Sequence, residues 1–251
     1  MKKLLTKLTA ALLVCFTVLT IVPVSALQVQ AAQPKVEKRI YAILYPGNAN
    51  SYHYLMIQNP KKNGKISNLK VEDGSVVELA LSSDKKNVTY RLKKAGKTKI
   101  SFKYAGKTLS TTISVEKWEN PCSKFMLGKE NLKKNFDKSG NFTQVTKKDK
   151  KITQKISVKA APGWKIVSIG IYRGKGKKVK NNSKVTLDSS SGKDAMGSSL
   201  AVIFQNKKTG KKELLEYGYI SYGKSYGGPY KINQYPFRDQ INQSISFYSK
   251  K

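Results

Sequence analysis

Apolar side chains recur at every second position through much of the first half of the chain. Ile40, Ala42 and Leu44 form one such set, and Tyr52, Tyr54 and Met56 form another that ends at the Asn59-Pro60 turn. Ile66 and Leu69 lead to Asp73-Gly74; Val77, Leu79 and Leu81 follow, and Val88, Tyr90 and Leu92 run back to Ala95-Gly96. This two-residue period sends alternate side chains to opposite faces, which marks strands buried on one side. The stretch from Ala95 to Val115 is clearest. Ile100, Phe102 and Tyr104 alternate with Ser101 and Lys103, and after Ala105-Gly106 the alternation resumes at Leu109, Thr111, Ile113 and Val115. A two-residue loop puts Phe102 opposite Leu109 and Ile100 opposite Thr111, so the apolar sets share a face. Gly106 supplies the positive φ of the reversal. Short alternating strands separated by turn residues predict an antiparallel sandwich. Within it His53, out of phase with Tyr52 and Tyr54, is expected on the solvent face.

The pattern breaks at Trp118-Glu119-Asn120-Pro121, because proline cannot continue a central strand. Beyond it Phe125 and Leu127 start a second region, which loosens through the lysine-rich segment Asp137 to Lys151. Ile152, Ile156 and Val158 predict a strand, turned by Pro162-Gly163. Trp164 and Ile166 begin the next, but the phase then shifts to Val167, Ile169 and Ile171, which predicts a bulge near Val167. Val185 to Leu187, Leu200 to Phe204, and Leu214 to Ile220 complete the set. Gly174-Lys175-Gly176 reads as a turn, since a nucleotide cradle needs a third glycine and a following helix.

The N-terminus has a different character. Lys2, Lys3 and Lys7 precede an apolar run from Leu8 to Val22, then Pro23, then small residues at Val24-Ser25-Ala26 and Val29-Gln30-Ala31. This is the plan of a secretory signal peptide, with cleavage at Ala26 or Ala31. Val14 before Cys15 is too bulky for a lipoprotein site. After cleavage Cys122 is the sole thiol, so no internal disulfide is expected, and no later apolar run suffices to span a membrane. The expected location is extracellular, in association with a cell wall.

Charge sharpens this picture. The chain carries 48 Lys+Arg against 15 Asp+Glu, a formal net charge of +33. Only Arg39, Arg91, Arg173 and Arg238 are arginines; the rest are lysines spread along the whole chain. Lysine is a hydrated point charge without the bidentate fork that reads bases or phosphates specifically. Two readings follow: a solvated lysine-rich surface, or weak attraction to polyanions such as wall phosphate polymers. Specific nucleic-acid recognition is not expected.

Two wordings carry a resemblance. RLKKAGKTKISFKYAGKTLSTTISV resembles the closing strands of group 2 bacterial immunoglobulin-like domains, and NPKKNGKISNLKVEDGSVVELAL resembles their middle, as found in secreted clostridial proteins. ENPCSKFMLGKEN and APGWKIVSIGIY resemble a module that follows such domains in similar proteins. The resemblance implies an immunoglobulin-like first domain and brings no catalytic residues. The expected organisation is therefore a signal peptide at 1–31, an immunoglobulin-like sandwich at 33–117 and a second β-rich domain at 118–251. The fold class is all-β, with two antiparallel β-sandwich-like domains.

The inventory of reactive groups points away from catalysis. His53 is the only histidine, no His/Cys/carboxylate spacing fits a metal, and no cofactor motif occurs. Cys122 reads as a small buried hydrophobe. Half of the 14 tyrosines fall after residue 216, among glycine and proline. Tyr222, Tyr226, Tyr230 and Tyr235 are candidate glycan-binding aromatics, since a flat ring covers a sugar face. The alternative is a loop and edge strand whose tyrosines pack on the sandwich. The function expected is a non-catalytic surface module attracted to anionic wall polymers. The alternatives are a glycan-binding adhesin or a hydrolase of wall or host polymer.

Overall fold

The alternating segments of the first half become two facing sheets. The strands are β1 (Arg39–Leu44), β2 (Tyr52–Leu55), β3 (Ile66–Val71), β4 (Val77–Leu81), β5 (Val88–Leu92), β6 (Gly96–Tyr104) and β7 (Lys107–Lys117). They pair in the orders β1-β7-β6-β3 and β2-β5-β4. Strands one, three, six and seven in one sheet against two, four and five in the other is the partition of an immunoglobulin-like sandwich. The structure, a computed structural model, describes residues 32–46, 51–192, 195–221, 231–233 and 237–249. The leader, its cleavage sites and the candidate tyrosines Tyr222, Tyr226, Tyr230 and Tyr235 lie outside the described residues.

The β6–β7 hairpin has the register its alternation predicts, Phe102 facing Leu109 and Ile100 facing Thr111. Its loop residues Ala105 (φ 48°) and Gly106 (φ 78°) are both left-handed. That pairing matches the right-handed twist of the strands it joins. Ile100, Phe102 and Ile113 are buried against Val77, Val88 and Tyr90 of the facing sheet. β1 pairs with β7 in parallel, Arg39 beside Thr112 through Leu44 beside Lys117.

One face assignment is reversed. Tyr52 and Tyr54 are 51% and 66% exposed, and His53 points inward with Leu55. Its ring lies 5.6 Å from that of Tyr90 and 5.3 Å from that of Phe237. Alternation defines two faces without saying which is covered. Here the cover comes from the distant C-terminal segment.

The second region also builds two main sheets. Its elements are β8 (Cys122–Leu127), β9 (Glu130–Asn131), α1 (Lys133–Phe136), β10 (Asn141–Thr146), β11 (Lys151–Ala160) and β12 (Trp164–Arg173). They continue with β13 (Lys175–Lys178), β14 (Lys184–Asp188), β15 (Ser191–Gly192), β16 (Ala195–Met196), β17 (Ser198–Asn206), β18 (Lys212–Ser221), β19 (Lys231–Asn233) and α2 (Arg238–Ser249). The sheet orders are β14-β11-β8-β9 and β13-β12-β17-β18-β10-β19, with β15-β16 a small ribbon. Leu200 to Phe204 is buried at all five positions, as a central strand covered on both faces requires. The bulge falls where the phase shift predicts, between Ile166 and Ser168.

Two segments differ from expectation. The lysine-rich stretch 137–151 contains β10, paired in parallel with β18. Phe142 and Val145 are three apart, so no alternation betrays the strand; its neighbours define it. The tail supplies the expected edge strand, β19, but then ends in a helix that was not expected. Ile241, Ile245 and Tyr248 are its buried residues, and their spacing of four and three is a helical stripe legible in the sequence. No helix among the described residues is long and apolar enough to cross a membrane.

Apolar side chains gather into two clusters. One fills the first sandwich, and the other fills the second and includes Ile43 of β1 and Tyr45 just after it. Trp118 is buried in this second cluster at 6% exposure, its ring 4.9 Å from that of Tyr45. Its Nε1 donates to the Phe136 carbonyl at 2.9 Å. A polar knot adds to this junction. Arg238 donates to Glu213 (2.9 Å) and Glu116 (3.0 Å), and Lys211 reaches both carboxylates.

Candidate functional site

The strand pattern that buries Ile100 and Phe102 turns Lys97, Lys99 and Lys103 of β6 to solvent. On β11, Lys151, Lys155 and Lys159 are likewise exposed. Acidic groups compensate little of this charge. Among the described residues only Lys133, Lys151 and Lys211 lie within ion-pair distance of a carboxylate. Three of the four arginines are paired, Arg91 with Glu78, Arg173 with Asp188 at 2.9 Å, and Arg238 with Glu213 and Glu116. The Asp188 carboxyl is held below its ordinary value by the Ser190 hydroxyl and amide, then by Arg173 and Lys151. The fork of arginine suits such fixed pairs, which leaves lysine as the mobile surface charge.

A groove of about 400 Å³ lies between β1, β2 and α2. Tyr41, Tyr54 and Met56 line it at 42%, 66% and 72% exposure. Phe237, Gln240 and the carboxylates of Glu37 and Asp239 complete the wall. Exposed rings beside amides and carboxylates can stack on a sugar and take its hydroxyl protons. The sequence reading sought such aromatics at Tyr222, Tyr226, Tyr230 and Tyr235, outside the described residues. The structure assembles Tyr41, Tyr54 and Phe237 from opposite ends of the chain. The sequence shows only that Tyr52 and Tyr54 share one face of a strand; that this face is the exposed one is seen in the structure.

Cys122 lies in the second apolar cluster, whereas His53 is partly buried at the edge of the first sandwich. Burial pushes the Cys122 thiol up to about 12, so it carries no thiolate at neutral pH. His53 packs under the groove on Tyr90 and Phe237. Among the described residues no group of three His, Cys, Asp or Glu side chains is placed to hold a metal.

Burial holds the His53 imidazole below its ordinary value of 6.5. The unfolded chain then takes the proton more readily than the folded one. Stability present above about pH 6.5 is therefore lost as pH falls below it. Depressed carboxylates such as Asp84 and Glu116 act in a lower window, starting near their ordinary values of 3.8 and 4.5. Thermal unfolding at about pH 7.5 and about pH 5.5 is expected to show a drop in midpoint that His53→Phe largely removes. An equal drop in the variant refutes the assignment.

The sequence matches no protein-family model and no curated protein. Similar solved structures include domains 4–9 of the surface layer protein SbsC, at 13% identity over 75% of this chain and 32% of that one, with a TM-score of 0.26. An I-band fragment of titin is 9% identical over 75% of this chain and 64% of its own, with a TM-score of 0.23. The D00-D0 domain of intimin is 11% identical over 74% of this chain and 99% of its own, with a TM-score of 0.25. The chain thus spans less than two thirds of the first two. With superpositions this loose, the fold assignment rests on the strand order of the chain itself.

Proposed function

We propose that this protein is a non-catalytic module of the cell surface, retained there by attraction between its lysines and anionic wall polymers. One observation carries the reading: most described lysines face solvent, and among them only Lys133, Lys151 and Lys211 lie within ion-pair distance of a carboxylate. The formal charge of +33, about +30 once the three leader lysines are removed (45 basic against 15 acidic residues), then acts outward within a Debye length of about 8 Å at physiological salt. The secretory leader read from the sequence would deliver the chain to such polymers. Binding of this kind releases counterions and weakens steeply with salt. The test is retention on purified wall, with and without its phosphate polymers, at low and high salt. Retention is expected at low salt on intact wall, and is expected to be lost at high salt or once the phosphate polymers are removed.

A second reading rests on the groove, whose Tyr41 and Tyr54 rings stand exposed beside Glu37 and Asp239. Retention that survives high salt but vanishes in Tyr41→Ala/Tyr54→Ala favours glycan recognition there over electrostatics. If only Tyr226→Ala/Tyr230→Ala/Tyr235→Ala abolishes it, the glycan site is in the tail.

A further inference from the structure

The lysines are not placed alike on the two sandwiches. On the first, each outward lysine of β6 faces a hydroxyl on β7: Lys97 opposite Ser114, Lys99 opposite Thr112, Lys103 opposite Thr108. On the second, lysine faces lysine. Lys155 of β11 lies directly opposite Lys184 of β14, and Lys159 of β11 lies directly opposite Lys124 of β8. All four are exposed, and each alternates with buried residues of its strand. Directly opposed residues of an antiparallel pair have Cβ atoms about 5 Å apart, and like charges there destabilise the sheet. Ammonium groups carried by such neighbouring side chains repel one another over a Debye length of about 8 Å. An anion seated between the two ammonium groups reverses the sign of this repulsion.

We propose that the outward face of the β14-β11-β8 sheet is where a phosphodiester polymer of the wall lies, one phosphate bridging Lys155 and Lys184 and another bridging Lys159 and Lys124. The two pairs sit on opposite sides of β11 and four residues apart along it, about 13 Å at the usual strand rise. They define a diagonal track across the sheet. Between Lys155 and the end of the track at Lys151, the Thr153–Thr186 hydroxyl pair (2.8 Å) offers uncharged partners. Ser157, on the outward parity between the two lysines of β11, faces Met126. The strands of the track carry no exposed aromatic ring on which a base or sugar would stack, and the one arginine near it, Arg173 at the Lys151 end, is held by Asp188 at 2.9 Å. A polyol-phosphate chain needs neither. This rests on the reading that wall polyanions retain the protein, and it adds the place where they do so.

The test compares Lys155→Thr/Lys159→Thr with Lys99→Thr/Lys103→Thr, which remove equal charge from different faces. The probe is purified glycerol-phosphate polymer, titrated over a range of salt, and unfolding temperature is measured without it. The β11 variant is expected to bind roughly tenfold more weakly, with a log K against log salt slope shallower by about two. It is also expected to unfold at a higher temperature than the parent protein, because the repulsion is gone. The β6 variant is expected to bind within about twofold of the parent protein. Equal losses in both variants overturn the assigned face while leaving general lysine attraction intact. Failure of the parent protein to bind the polymer overturns both. A β11 variant that unfolds earlier overturns the role of opposed lysines. Single-stranded DNA bound as tightly as the polymer, with the same loss in the β11 variant, overturns the choice of partner.

Discussion

Trp118→Ala is expected to lower stability by about 3–5 kcal/mol, the usual cost of truncating a buried large aromatic. Trp118 is only 6% exposed and belongs to the second cluster although it ends the first sandwich. Removing the indole opens space beside Tyr45, whose ring is 4.9 Å away. That space is hard to close. Gly140 stands against Trp118, Tyr45 and the Leu214 carbonyl so closely that even a Cβ there would meet them at 3.3–3.4 Å. The Phe136 carbonyl also loses the Nε1 donor that it accepts at 2.9 Å. Trp118→Phe separates the two effects, keeping most of the packing while leaving that carbonyl unmet, at about 1–3 kcal/mol. Denaturant unfolding followed by circular dichroism measures both. A loss below about 1 kcal/mol for Trp118→Ala would show that the junction is wet and the indole idle.

Phe102→Ala is expected to cost a similar 3–5 kcal/mol, for a different reason. Phe102 is 1% exposed at the centre of the hairpin and packs with the apolar residues of both sheets. Its exposed neighbour Lys103 faces Thr108, so Lys103→Ala is expected within about 0.5 kcal/mol of the parent protein. The contrast tests register directly. A one-residue slip exchanges the two faces, and the two substitutions would then exchange their costs.

The candidate surfaces were legible to different degrees. The cationic character is arithmetic, and the preference for lysine over arginine limits what it can recognise. The like-charged pairs Lys155–Lys184 and Lys159–Lys124 join residues far apart in sequence, and only the strand register brings them together. The groove is harder still. Tyr41 and Tyr54 lie on β1 and β2, whereas Phe237 and Asp239 come from the far end of the chain. No local pattern links such residues. An exposed aromatic on a strand looks like a core aromatic until something is known of what covers each face.

By itself the sequence determined where the well-alternating strands form, because a period of two follows from the geometry of the extended backbone and needs no partner. It determined the hairpin register through a loop of fixed length, and the bulge near Val167 through a break in phase. It also determined the charge. Tertiary structure decided which face of a strand is covered, as His53 and Tyr54 show, because coverage is supplied by distant residues. It decided that β1 lies parallel to β7 and β10 parallel to β18, contacts closed across long loops. It made the poorly patterned β10 a strand through its neighbours. It also paired Arg91, Arg173 and Arg238 with carboxylates carried on other elements.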